Sequence, residues 1–380
     1  MNWLGGRPRA HCGKPTAPAP CGLLSQRRRR AVTLGHGPEV DVTRRPGDAV
    51  LAPAPLVIVC LVALILVSVA LGLAIGRGGA IDWADPVLLR IRAARVAVAF
   101  SCGGAIAVTG AVVQTLFRNP LASPSILGTT SGAVLGAHIA LLASVLALGG
   151  GGAFGIAPEM FVPIGALAGA AGSLFILLSV VSLRQEPLVL LLTGFALMSM
   201  FQGASTFLTM WNQEAWELNR AFAALMLGDI SAAGPRQVLL VSVMTVGGIL
   251  PVFAAHGSLD VLLSGEDEAR TLGVDVSSVR FWLVLWVAVL TAGAVAVGGS
   301  VGFVGLIVPH ALRPWVGHRH RYLLPTVFLG GGGFLIACDV LCRVLPVRGG
   351  IPLGTLTDIL GAPLFLQLLF KQLRRQAAHA

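Results

Sequence analysis

The sequence predicts an all-α polytopic membrane protein of about ten transmembrane helices, some short or broken. Three observations carry this expectation. Of the 380 residues, 55% are hydrophobic and only 12% charged, with a mean hydropathy of +0.83, which is more apolar material than one water-soluble core buries. The apolar residues fall in uncharged runs about as long as a helix needs to cross ~30 Å of hydrocarbon. The charges that exist sit between these runs as punctuation. A soluble globular protein is thereby excluded.

Residues 1–50 are rich in Pro and Arg, with Arg27 to Arg30 consecutive and no apolar periodicity, and are expected to form a disordered basic cytoplasmic tail. They hold 9 of the 27 Lys and Arg but 3 of the 17 Asp and Glu. Residues 51–380 are expected to form one ten-helix membrane domain. Its first run, Leu56 to Ile75, lies too far from the N-terminus for a secretory signal and reads as a retained span. Val96 to Phe117, Ile126 to Leu148, Met160 to Leu183 and Pro187 to Met210 follow as spans two to five, with the glycine run Gly149 to Gly152 after the third. Ala221 to Gly228 is too short to cross and is expected to lie at the interface or re-enter. Val238 to Ala255 and Phe281 to Val297 are spans six and seven. Val301 to Leu312, broken by Gly302, Gly305 and Pro309, reads as a short or interrupted helix. Such backbone at membrane depth is tolerated where it packs in protein or lines a hydrated route. Leu323 to Val340 and Ile351 to Phe370 complete the ten.

An even count puts both termini on one side, and the basic tail with Lys371, Arg374 and Arg375 makes that side the cytoplasm. This topology leaves 19 Lys and Arg inside and 8 outside. The outer group includes Arg92, Arg95 and Arg343, against the positive-inside tendency, so their placement needs a reason: snorkelling, or recognition of something acidic. The +10 net charge suits anionic lipid headgroups, and no basic face interleaved with aromatics points to nucleic acid. The cysteines form no C-x-x-C pair, so neither a disulfide framework nor a metal site is expected.

Some chemistry is missing. A nucleotide-binding G-x-x-x-x-G-K-[ST] loop requires a lysine, and Lys14 and Lys371 are the only two, neither in that setting. Gly128 to Gly132 with His138 superficially suggests an intramembrane serine protease, but Thr129 stands where a tight nucleophile turn needs Gly. No H-E-x-x-H occurs. An enzyme is not expected.

In the fifth span, Ser199, Gln202, Thr206 and Thr209 recur at spacings that put them on one helix face. This polar stripe reads equally as interhelical glue or as the wall of a translocation path. Within the polar stretch 257–280, Leu259, Leu262, Leu263, Ala269 and Leu272 supply apolar anchors between Gly265 and Gly273, the mixture a docking helix needs. Asp339 and Asp358 are the candidate intramembrane carboxylates, too few to favour an ion-coupled secondary transporter, the rival from another class. Arg348 or Arg343 is expected to pair with Asp358.

Three stretches together carry a family resemblance. The first runs from Arg92-Ala93-Ala94-Arg95 through Gly103 and Gly110 to Phe117-Arg118-Asn119-Pro120-Leu121-Ala122 and Leu127-Gly128. The second is Gly265-Glu266 through Ala269 to Leu272-Gly273-Val274. The third is Val301-Gly302-Phe303-Val304-Gly305-Leu306-Ile307-Val308-Pro309-His310, continued by Asp339, Arg343, Pro352, Gly354 and Gly361-Ala362-Pro363. In this order they resemble the permeases of ABC importers for iron-siderophores, haem and cobalamin, over roughly residues 51–373. The family's usual R-L-P-R is R-A-A-R here, Asp229 replaces a common serine, and Asp358 stands where a small residue is usual.

The resemblance implies a type II ABC importer permease architecture in the cell (inner) membrane. It also implies a second permease chain, two ATPase subunits on the cytoplasmic side and an extracytoplasmic substrate-binding lipoprotein. Arg92, Arg95 and Arg343 would dock the binding protein. Gly265, Glu266, Ala269, Leu272 and Gly273 would couple to the ATPase, and Ser199, Gln202, Thr206 and Thr209 would line the path. No cofactor is bound directly; ATP and Mg belong to the partner ATPase. The expected cargo is a ferric siderophore, with haem or cobalamin as the alternative.

Overall fold

The computed structural model describes residues 54–76, 85–125, 128–148, 161–181, 187–211, 216–231, 233–345, 347 and 350–377. The expected tail 1–50, the glycine run 149–152, Leu127 and Arg348 lie outside these residues. The helices are α1 (Ala54–Ala74), α2 (Pro86–Leu116), α3 (Thr129–Leu148), α4 (Phe161–Val181), α5 (Pro187–Trp211), α6 (Trp216–Leu227), α7 (Pro235–Ala254), α8 (His256–Ser264), α9 (Glu266–Thr271), α10 (Val276–Gly298), α11 (Val304–Val316), α12 (His320–Val344) and α13 (Leu353–Ala377).

Seven of these, α1, α2, α4, α7, α10, α12 and α13, are long and apolar enough to cross a membrane by themselves. With α3, α5 and the short α11 they occupy the ten expected positions. The short stub expected at the interface, Ala221 to Gly228, falls largely within the twelve-residue helix α6, which begins earlier, at Trp216. The polar stretch 257–280, expected as a coupling loop that carries a docking helix, is largely helical: α8 and α9 meet at Gly265, whose φ of 137° is open to glycine but not to ordinary L residues.

One boundary moves substantially. The second span was expected from Val96, yet α2 begins at Pro86, where the Asp85 carboxylate accepts from the Val87 N–H at 2.8 Å and proline opens the first turn. Charge does not break a helix. Arg90, Arg92 and Arg95 lie within α2, and the long stems of Arg92 and Arg95 let their guanidinium groups find partners on neighbouring helices.

Helix α2 is the axis of the bundle. It packs along α12, α10, α11 and α7, and is buried almost continuously from Val96 to Thr115. Close approach is possible because small residues oppose each other, as in many membrane helix pairs. Gly103 sits on the Gly331 carbonyl of α12, and Gly110 on the Gly305 carbonyl of α11, where a Cβ would collide with backbone. Helices α3 and α4 form the other tight pair, with Gly132 and Gly136 against Gly169 and Gly165. Helix α5 lies over α3 with its far side uncovered.

Candidate functional site

At one end of the bundle, two arginines, Arg95 and Arg343, converge on Asp339, which is fully buried, and Arg92 lies nearby. The Arg95 Nε lies 2.5 Å from Asp339 Oδ1 and the Arg343 Nη2 lies 2.7 Å from Oδ2. Arg343 and Arg92 also hold α1. Arg343 Nη1 donates to the carbonyls of Gly72 (2.8 Å) and Ile75 (2.9 Å), and Arg92 Nη1 to those of Leu73 (3.0 Å) and Ala74 (3.1 Å). These are the last carbonyls of α1, which have no intrahelical donors, and a cation there also suits the helix dipole. Arg95 and Arg343 are therefore committed inside the subunit rather than snorkelling. Arg92 is half-buried and Arg90, two residues earlier, is exposed.

The expected pairing of Asp358 with Arg343 does not form, because Asp339 lies one helical turn from Arg343 on the same helix and takes it. The Asp358 carboxylate instead packs over Gly302, at the start of α11, where any side chain would meet it.

The polar stripe of α5 is open: Ser199, Gln202 and Thr206 are exposed and Thr209 half-buried. The hydroxyls of Thr206 and Thr209 bond back to the carbonyls of Gln202 and Ser205, at 3.0 and 2.9 Å. Among the described residues no neighbouring helix hydrogen-bonds to Ser199, Gln202, Thr206 or Thr209. His138 is buried against the Phe222 ring, with centroids 4.2 Å apart, and its ring nitrogens have no hydrogen-bond partner among the described residues. No serine–histidine pair forms.

At the opposite end, α8 and α9 are anchored by buried Leu259, Leu262 and Ala269, and the Glu266 carboxylate pairs with Arg280 of α10. Leu272 is 69% exposed, beside Asp267, Glu268 and Arg270, which are also exposed. A second polar clasp ties this segment to the bundle. Asp260 Oδ1 accepts from the backbone N–H of His320 at 2.8 Å, capping α12 from another element, and lies 2.6 Å from the ring Nδ1. The ring Nε2 meets Thr115 Oγ1 of α2 at 2.8 Å.

Partial burial opposes the charge on Asp260, but the hydrogen bonds from His320 outweigh it and hold the carboxyl below its usual value. A carboxyl lowered by folding stabilises the folded arrangement above its unfolded value and loses that contribution as pH falls through the lowered one. The 257–280 segment should therefore keep its resistance to protease from neutral pH down to about pH 4 and lose it progressively below that. Asp260→Asn should show that loss already at neutral pH; an unchanged digestion rate in the variant would remove the carboxylate from the clasp.

Asp260, Thr115 and His320 were not singled out from the sequence. Asp260 and His320 are 60 residues apart, and neither lies in a motif. The only signal was a histidine and an aspartate each next to an apolar run.

The model of the FecCD transport family matches residues 55–371. The chain is 36% identical over 294 residues to a cobalamin import system permease protein of Halobacterium salinarum, covering 77% of this chain and 75% of that one. It is 34% identical over 290 residues to a hemin transport system permease protein of Yersinia pestis, covering 75% and 84%. It is 36% identical over 286 residues to an Fe(3+) dicitrate transport system permease protein of Escherichia coli, covering 75% and 85%. Among solved structures it is similar to an inward-facing metal-chelate type ABC transporter, with a TM-score of 0.71, 28% identity, and coverage of 84% of this chain and 99% of that one.

Proposed function

We propose that this chain, which belongs to the FecCD transport family and is the permease of an ABC importer, carries a ferric siderophore from an extracytoplasmic binding protein into the cytoplasm. ATP hydrolysis belongs to a separate ATPase subunit. The observation that carries the choice of cargo is the open face of α5, where Ser199, Gln202 and Thr206 present neutral hydroxyl and amide groups. A siderophore encloses its iron and offers oxygens, and such groups donate to it without competing for the metal. In this reading the stripe faces a second permease chain across a hydrated path.

The end bearing α8 and α9 faces the cytoplasm and meets the ATPase through Gly265, Glu266, Ala269, Leu272 and Gly273. The end bearing Arg92, Arg95 and Arg343 faces the binding protein. Since Arg95 and Arg343 hold Asp339, contact with acidic groups of the binding protein falls mainly to Arg92 and its neighbour Arg90. Both termini are cytoplasmic.

The test is uptake into sealed liposomes containing the permease with its ATPase, supplied with loaded binding protein. Ferric siderophore is expected to accumulate only with ATP inside the cytoplasm-equivalent compartment. Accumulation of haem or cobalamin in its place would overturn the cargo, and uptake driven by an ion gradient without ATP would overturn the mechanism.

A further inference from the structure

A cavity of about 270 Å³ opens at the end of the bundle that carries α8, between α2, α8, α11 and α12. Gln114, Thr115, Arg118, Arg313, His318 and His320 contribute to its wall, and no acidic side chain does. Two guanidinium groups thus face one space. Neither Arg118 nor Arg313 makes an ion pair or side-chain hydrogen bond with the described residues. Asp260, on α8, does not neutralise them, because its carboxylate is committed to His320.

Two further observations point to a ligand. Arg118 has a φ of 48°, the left-handed region that L residues avoid and that recurs at ligand clamps. It is held there by the turn at the end of α2, in which the Asn119 N–H bonds to the Gln114 carbonyl at 3.0 Å. The second is Gln114, only 3% exposed. Its Nε2 donates to the Gly305 carbonyl at 3.3 Å, while its Oε1 is buried with no donor among the described residues. A buried acceptor left unmatched at a cavity wall is costly unless something brings it a proton.

We propose that this cavity binds the phosphate group of an anionic ligand, gripped from two sides by Arg118 and Arg313, with a ligand hydroxyl serving Gln114. A tetrahedral phosphate offers acceptor oxygens in several directions, and each guanidinium offers a planar fork of donors. The volume accommodates a phosphate with a glycerol attached. The same chemistry is available from the headgroup of an anionic phospholipid and from soluble inorganic phosphate.

The full-length permease with its ATPase, in nanodiscs of phosphatidylcholine, provides the test. Its thermal midpoint is measured with phosphatidylglycerol mixed into the discs and, separately, with inorganic phosphate added. Binding to the folded state raises the midpoint. A rise with the lipid alone identifies a headgroup, and a rise with phosphate alone a soluble anion. Either rise should be lost in Arg313→Gln and Arg118→Gln, with apparent affinity weaker by on the order of tenfold or more. Arg313→Lys keeps the charge without the fork and should recover it only in part. If Arg118→Gln does not fold, Arg313→Gln decides. No rise with either source, or an equal rise in the glutamine variants, overturns the proposal. Because no transport is measured, that failure would leave the importer reading standing.

Discussion

Replacing Leu272 by Asp should separate ATP hydrolysis from transport. Leu272 ends α9 with 69% of its surface exposed, on a segment outside the spans, where a large apolar side chain has no internal partner to satisfy. The residue after it, Gly273, has a φ of 81°, which turns the chain and leaves the leucine at the tip. Behind it, buried Ala269 and the Glu266–Arg280 pair fix the helix to the bundle. A carboxylate forced into the docking cleft of an ATPase costs several kcal/mol, which lowers association by roughly a thousandfold. Membrane insertion should be unaffected, because the side chain packs against little in the subunit. Co-purification of the ATPase and siderophore uptake, measured in the same cells, check this. A variant that keeps its partner and transports normally would sink the coupling role of this segment.

Asp339→Asn should produce the largest loss of stability. The carboxylate is fully buried between Arg95 and Arg343, so neutralising it leaves two guanidinium groups facing each other across a site with no counter-charge. Breaking a buried pair in this way costs about 3–5 kcal/mol. The damage should spread to α1, whose final carbonyls depend on Arg343 and Arg92 for donors. Arg95→Gln combined with Asp339→Asn should recover part of the loss, since it removes one of the stranded charges. Thermal midpoints of the purified single and double variants report both effects. A single variant as stable as the wild type would show that the arginines do not need the carboxylate.

The spans were legible because lipid imposes a simple rule: long runs without charge. That rule located Leu56 to Ile75 as α1 and the broken helix at Val301 to Leu312 as α11. It misplaced the start of α2, where Arg90, Arg92 and Arg95 sit inside a helix and the last two find partners on α1 and α12. The stripe on α5 was legible from its spacing, but spacing alone left open whether another helix covers it. The two polar clasps could not be read at all as pairs. Arg95 and Asp339 are 244 residues apart, and Asp260 and His320 are 60 apart, so only tertiary packing of α2 with α12 and of α8 with α12 brings them together. Motif reasoning pointed Arg95 and Arg343 to an external partner and did not foresee that a carboxylate of the same chain engages them.

Helices α2 and α12 run antiparallel and are fastened at both ends, by Arg95–Asp339 at one and by Thr115–His320–Asp260 at the other. On α2 the two fastenings, at Arg95 and Thr115, lie about 30 Å apart, close to the thickness of the hydrocarbon. A pair held at both points has little freedom to bend between them. If binding at the α8 end tilts this pair, the arginine end is affected in equal measure, because any such coupling is reciprocal.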